Sequence, residues 1–135
     1  MSNFKNILVL RQSALGDVAN ILPILHLLRQ SYPLANISCL TGSLTATLMN
    51  DNPDVDQVIS FNRTKKLNLT IPTLLQLRRG KYDLVVDLQS SRHSRWLVLA
   101  TGARMRLGHG KHVFYTAPAV YDPSAASACD CFLKI

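Results

Sequence analysis

The order of apolar and polar positions along the chain predicts short strands alternating with helices. Ile7 to Leu10 is a continuous, β-favouring apolar run between polar residues, the pattern of a strand buried on both faces. After a break at Gln12 to Gly16, apolar residues recur at Val18, Ile21, Leu22, Leu25 and Leu28, the spacing of one side of a helix. Pro23 falls inside that segment and should bend the helix or delay its start, because proline has no backbone donor. Asn36 to Leu40 reads as a second strand, Ser43 to Met49 as a short helix and Val55 to Ser60 as a third strand, with Asn52-Pro53 as punctuation. Ile71 to Arg79 reads as a helix with Pro72 suited to its first turn, and Asp83 to Leu88 as a fourth strand. Ser91 to Thr101 is a further helix that Gly102 should terminate, and Arg104 to Leu107 a short fifth strand before a loop at Gly108 to His112.

Strands and helices alternating at this spacing are βαβ units. The expected fold class is therefore α/β, with a doubly wound, mostly parallel sheet and right-handed crossovers. The rhythm is lost after His112, so residues 1–112 are expected to form one Rossmann-like domain and 113–135 an irregular tail. That tail closes on Cys131-Phe132-Leu133-Lys134-Ile135, which reads as the start of a truncated helix.

Composition narrows the class. A chain of 135 residues, 47% apolar and 17% charged, can build one core and is unlike disordered, collagenous or coiled-coil sequences. Its uninterrupted apolar stretches, such as Trp96 to Ala100, fall far short of the roughly 20 residues of a membrane span, and the run after Asn6 is too short for a signal-peptide core. The expected location is cytoplasmic, with a peripheral place on a membrane surface left open. The three cysteines, Cys39, Cys129 and Cys131, make no disulfide framework.

Charge is lopsided. The net charge is +7, all eight acids are aspartates, and between Arg63 and His112 eleven Lys and Arg face only Asp83 and Asp87. Such a field favours partners rich in phosphate or carboxylate, although a merely solubilising basic face has the same composition. The aromatic residues are scattered and form no stacking platform, so a nucleic-acid partner is not expected.

In a doubly wound sheet, ligands collect at the carboxyl ends of the strands, which singles out two loops. The first, Arg11 to Asp17, has only one glycine, Gly16, and matches neither the three-glycine dinucleotide fingerprint nor a Walker loop. Asp17 would fall at a helix start. There it serves either as an N-cap, favoured by free backbone N–H groups and the helix dipole, or as a general base. The second loop runs from Asp87 to His93. Asp87 sits in an apolar run and reads as a buried, paired carboxylate, whereas Gln89 and the cations Arg92, His93 and Arg95 are placed to hold an anion or to form a solvated face. His109 and His112 with Cys129 and Cys131 are ligand types for zinc, but Cys-x-Cys is tighter than usual spacing, and no metal site is expected.

Four segments carry a family resemblance. Ile7-Leu-Val-Leu-Arg-Gln-Ser-Ala-Leu-Gly-Asp-Val18 with Leu22-Pro23 and Tyr32-Pro33 resembles the opening of the bacterial lipopolysaccharide heptosyltransferases, glycosyltransferase family nine. Asn52 to Ile59, Tyr82 to Gln89 and Thr101 to Gly108 follow in matching order, so the resemblance spans about residues 6 to 112. It implies a two-domain GT-B fold, of which this chain holds the acceptor-binding half and lacks the nucleotide-sugar half. It further implies inverting, metal-independent transfer of heptose from ADP-heptose or a related nucleotide-sugar to the lipopolysaccharide inner core. The nucleotide-sugar would be a co-substrate, with no cofactor. By the same resemblance Asp17 is the catalytic base, and Ser13, Gly16, Gln89, Ser90, Arg92, His93 and Ser94 contact the acceptor. Ser90 stands where the family usually has glycine, and His93 where it commonly has Lys or Arg. The competing expectation is a non-catalytic, anion-binding Rossmann-like module.

Overall fold

The computed structural model describes residues 4–11, 22–61, 71–88, 92–109 and 117–119. Their elements follow in the order β1 (Asn6–Leu10), α1 (Leu22–Ser31), β2 (Asn36–Gly42), α2 (Ser43–Asn50), β3 (Gln57–Phe61), α3 (Ile71–Arg79), β4 (Leu84–Asp87), α4 (Arg92–Thr101), β5 (Met105–His109) and β6 (Ala117–Ala119). The described strands make a sheet of order β3-β2-β1-β4-β5-β6 in which every neighbouring pair is parallel. This is the doubly wound, Rossmann-like arrangement expected from the sequence.

β1 sits at the centre, paired with β2 on one side and β4 on the other, which is why Ile7 to Leu10 are all fully buried and all apolar. Its alternate side chains feed two separate cores. Ile7 and Val9 join Ile37, Cys39, Leu84 and Val86 beneath Ile24 and Leu25 of α1 and Met49 of α2. Leu8 and Leu10 join Leu40, Ile59 and Val85 beneath Leu77 of α3 and Leu97 and Val98 of α4. The helices divide between the faces because the chain steps outward from β1 to β3, then returns to β4 and steps the other way. With a single hand of crossover, a reversed step places its helix on the opposite face.

Local signals account for the element ends. Pro23 is the second residue of α1, where its missing donor breaks no helical hydrogen bond. Gly102 has φ +69°, the left-handed conformation that ends α4 at the residue expected. Gly80 follows α3 where a Cβ would lie 2.5 Å from the ring of buried Tyr82, so only glycine fits without moving that ring. Cys39 packs as a small apolar residue, its thiol pushed up to about 12 by burial and hence inert at neutral pH.

Two features differ from the expectation. Gly108 and His109 belong to β5, where a loop was expected, because Gly108 pairs with both β4 and β6 and His109 with β6, which extends the strand past the local glycine signal. Residues 117–119, within the segment read as irregular, form β6, an edge strand in which Pro118 is tolerated. Among the described residues, no helix is long and apolar enough to cross a membrane.

The amino-terminal edge of the sheet is closed by carboxylates. Asp83 accepts hydrogen bonds from the backbone N–H groups of Lys5 (2.8 Å) and Asn6 (3.0 Å), joining the starts of β1 and β4. Arg29, at the end of α1, donates to the carbonyls of Pro33, Ala35 and Asp54 and to Asp56 Oδ2 at 2.6 Å. Asp56 also accepts from the Ile37 N–H at 2.8 Å. Partial burial works to raise the Asp56 carboxyl, but the Ile37 N–H, the Arg29 hydrogen bond and the Arg29 charge together outweigh it and hold the carboxyl below its ordinary value.

A carboxyl so depressed contributes stability above its unfolded-state value, roughly pH 4, and that contribution disappears as pH falls through the folded-state value. Asp56→Asn is therefore expected to melt at a lower temperature than the parent chain at pH 7, with the gap closing below about pH 4 in thermal scans. Gly80→Ala is expected to cost about 1–3 kcal/mol in urea unfolding, because the Tyr82 ring must leave its buried seat.

Candidate functional site

The reversal of strand order between β1 and β4 opens a crevice at their carboxyl ends, the place where a doubly wound sheet binds ligands. Both loops singled out by sequence leave the sheet there, one after Leu10 and the other after Asp87. Their exits are tied together. The Leu88 N–H donates to the Leu10 carbonyl (3.0 Å) and the Arg11 N–H to the Leu40 carbonyl (3.0 Å), which carries the parallel ladder one step beyond the strands. The Arg11 guanidinium then reaches across and donates to the Leu88 carbonyl at 2.6 Å. A charge-assisted bond of this length fixes the two loop bases against each other and sets a cation at the mouth of the crevice.

Asp87 is fully buried, as expected, and is not without a polar partner. Its register with Leu10 puts it on the sheet face covered by α3 and α4. Arg92 and His93 are the first two residues of α4, and Ser94, the third, is fully buried and has its own partner. Neither α2 nor α4 has an acid in its first turn. In a parallel fold these helix starts face the carboxyl edge, and their dipoles add positive potential where the loops emerge. At the start of α2 the buried hydroxyls of Thr41 and Thr45 hydrogen-bond each other, and Thr45 also donates to the Gly42 carbonyl at 2.9 Å. Among the described residues the carboxyl edge thus carries the Arg11 cation and the positive ends of α2 and α4, while Asp83 and Asp56 serve the opposite edge.

Ser13, Gly16, Asp17, Gln89 and Ser90 lie outside the described residues, as do His112, Cys129 and Cys131 of the zinc reading. Among the described residues, no group of three metal-binding side chains occurs. Arg11 belongs to the segment that resembles the family opening. Its signal is a cation placed directly after a fully buried strand, where the chain emerges into the crevice. A groove of about 240 Å³ between α1 and β4–β5 lies apart from this edge, lined by Phe4, Ile24, Leu28, Tyr32, Leu84 and Met105. Its lining mixes apolar side chains with polar surface that includes Ser31 and Tyr32.

No protein-family model matches the sequence. The chain is similar to lipopolysaccharide heptosyltransferase 3 of Escherichia coli, 28% identical over 102 residues, which is 72% of this chain and 30% of that protein. It spans about 30% of the length of the curated relatives it matches. Among solved structures it is similar to a glycosyl transferase family 9 protein from Veillonella parvula, with a TM-score of 0.83 and 24% identity over 96% of this chain and 39% of that one. It is also similar to the E. coli heptosyltransferase WaaC with ADP, with a TM-score of 0.78 and 21% identity over 96% of this chain and 46% of that one. The resemblance read from the four segments is the one these comparisons return, and the fold is that of the matched part of these transferases.

Replacing Arg11 by Met is expected to lower stability by about 1–2 kcal/mol in urea unfolding, and to speed amide exchange at Leu88, because the Leu88 carbonyl loses a charged donor.

Proposed function

We propose that this chain is the acceptor-binding part of an inverting glycosyltransferase that moves heptose from a nucleotide-sugar, ADP-heptose, to the lipopolysaccharide inner core at the cytoplasmic face of the inner membrane. The observation that carries the reading is the crevice between β1 and β4. The two loops that leave it are those whose residues resemble the heptosyltransferases, in a chain with the fold of such enzymes.

In this reading the acceptor hydroxyl attacks the anomeric carbon of the donor. The new carbon–oxygen bond forms as the bond to the nucleotide diphosphate breaks, through an oxocarbenium-like transition state that inverts the centre. The hydroxyl proton passes to Asp17. A carboxylate at a helix start is a weak base, because backbone N–H groups stabilise its ionised form. It suffices when the proton moves late, after bond formation has made the hydroxyl acidic. Acceptor phosphates and carboxylates are held by Ser13, Gly16, Gln89, Ser90, Arg92, His93 and Ser94 together with the helix-start dipoles. The diphosphate leaving group is received by the remaining length of the enzyme, and no metal is required.

Asp17→Asn in the enzyme carried to the full length of its relatives is expected to lower kcat about 10²- to 10⁴-fold, with folding and acceptor affinity retained, as read by nucleoside diphosphate release. Turnover at the parent rate removes Asp17 as the base. The cationic carboxyl edge is also what a non-catalytic anion-binding module would present. Equal binding of this chain to any polyanion, with no preference for inner-core glycolipid, favours that second reading.

A further inference from the structure

The two outer strands of the described sheet are finished differently. β6 is three residues long with Pro118 at its centre, and both features discourage a further strand from adding to it. β3, the other outer strand, runs Gln57-Val58-Ile59-Ser60-Phe61, with no proline and no charge. In a parallel strand the N–H and C=O of one residue point to one side and those of the next residue to the other, so a single known bond sets the phase. The Asn36 N–H donates to the Lys5 carbonyl and the Arg11 N–H to the Leu40 carbonyl. The even-numbered residues of β2 therefore turn toward β1, and Ile37, Cys39 and Thr41 toward β3. Gln57 fits between Ile37 and Cys39 and Ile59 between Cys39 and Thr41, so these two residues of β3 pair with β2. Val58 and Ser60 direct their N–H and C=O groups away from the sheet, and among the described residues no strand meets them.

A groove of about 320 Å³ runs beside this strand, lined by Gln57 and Ile59 of β3 and by Pro72, Gln76 and Arg79 of α3. The three α3 residues are four and three positions apart and so form one row of the helix. Ile59 and α3 share a sheet face, since Ile59 and Leu77 belong to one core. A strand added outside β3 would pair its main chain with Val58 and Ser60 and set every second side chain on that face, toward the Gln76 and Arg79 row. The charge of the groove selects among occupants. Arg79 is the charged residue of the described lining, Lys81 two residues on is exposed, and no described acid lines the groove. Asp56, next to Gln57 in the chain, is bound to Arg29 and to the Ile37 N–H. A second copy of this chain would bring a net charge of +7 and another Arg79 to the same place, and like charge opposes that pairing. An acidic segment brings the complement.

We propose that β3 and α3 form a docking groove for an extended, acidic peptide segment of a partner protein. The segment adds to the sheet as a strand beside β3, pairs its main chain with Val58 and Ser60, and sets a carboxylate against Arg79. Main-chain pairing supplies the affinity and the Arg79 contact the preference for acidic sequences. β3 is separated from the crevice between β1 and β4 by β2, so the groove does not depend on the transfer chemistry.

The test titrates the full 135-residue chain, isotope-labelled for NMR, with a capped hexapeptide of alternating valine and aspartate. Saturable binding is expected, with amide exchange at Val58 and Ser60 fast in the free chain and slowed by the peptide. Exchange at Gln57 and Ile59, which pair with β2, is expected to stay slow throughout. Arg79→Gln is expected to weaken binding about two- to fivefold, and so is replacing the aspartates of the peptide by asparagine. Ser60→Pro removes an outward donor without touching the ladder to β2 and is expected to weaken binding about two- to tenfold. Circular dichroism of both variants is expected to match the parent chain. The same hexapeptide N-methylated throughout, which cannot donate to β3, is expected not to bind. Absence of binding at millimolar peptide overturns the proposal, as does slow exchange at Val58 and Ser60 in the free chain, which means that the strand is already covered. Equal binding of the N-methylated peptide, or unaltered binding by both folded variants, overturns it too. So does protection of Val58 and Ser60 that rises with protein concentration alone, with the mass of a dimer, because the occupant is then a second copy. Peptide binding is read without turnover, so its failure leaves the Asp17 test standing, and failure of the Asp17 test leaves the groove standing.

Discussion

The structure depends on the parallel pairing of β1 with both β2 and β4. A strand flanked on both edges and covered on both faces has to be apolar at every position, and Ile7 to Leu10 meet that condition without exception. Fully burying each of these side chains is worth roughly 1.5–3 kcal/mol, and each face of β1 anchors its own pair of helices. Because β2 and β3 are added on one side of this strand and β4 to β6 on the other, the chain must reverse beside it. The crevice is the geometric consequence. Placing β1 at the centre thus determines the core, the division of the helices between faces and the location of the site.

The two edges of the sheet are treated differently. At the amino-terminal edge, Asp83 and Asp56 neutralise backbone donors and the Arg29 guanidinium, so charge there is spent on joining elements. At the carboxyl edge the first turns of α2 and α4 carry no acid, Arg11 spans the loop bases, and Asp87 is withdrawn into the interior. The resulting polarity suits an anionic ligand.

Much of this was readable in advance because the signals are local. The run Ile7 to Leu10, the helical spacing of Ile71 to Arg79 and the glycine after Thr101 each reflect one segment's own conformational preference, and each appears where expected. The two loops were also legible, since any loop after a strand of a doubly wound sheet is a candidate. Gly108 and His109 were not. Gly108 is held in the strand by partners on both sides and His109 by β6, while glycine read locally signals a turn. The tie between Arg11 and Leu88 was equally hidden, joining positions 77 residues apart.

Sequence by itself determined the class of fold, the number of described βαβ steps up to β5 and the concentration of cations after Arg63, because periodicity, turn chemistry and composition act within short windows. Tertiary structure alone decided the order β3-β2-β1-β4-β5-β6 and the meeting of the two loop exits through Arg11. Each of these depends on contacts between residues far apart in the chain, and burial of a common core, which no local window contains, is what brings such residues together.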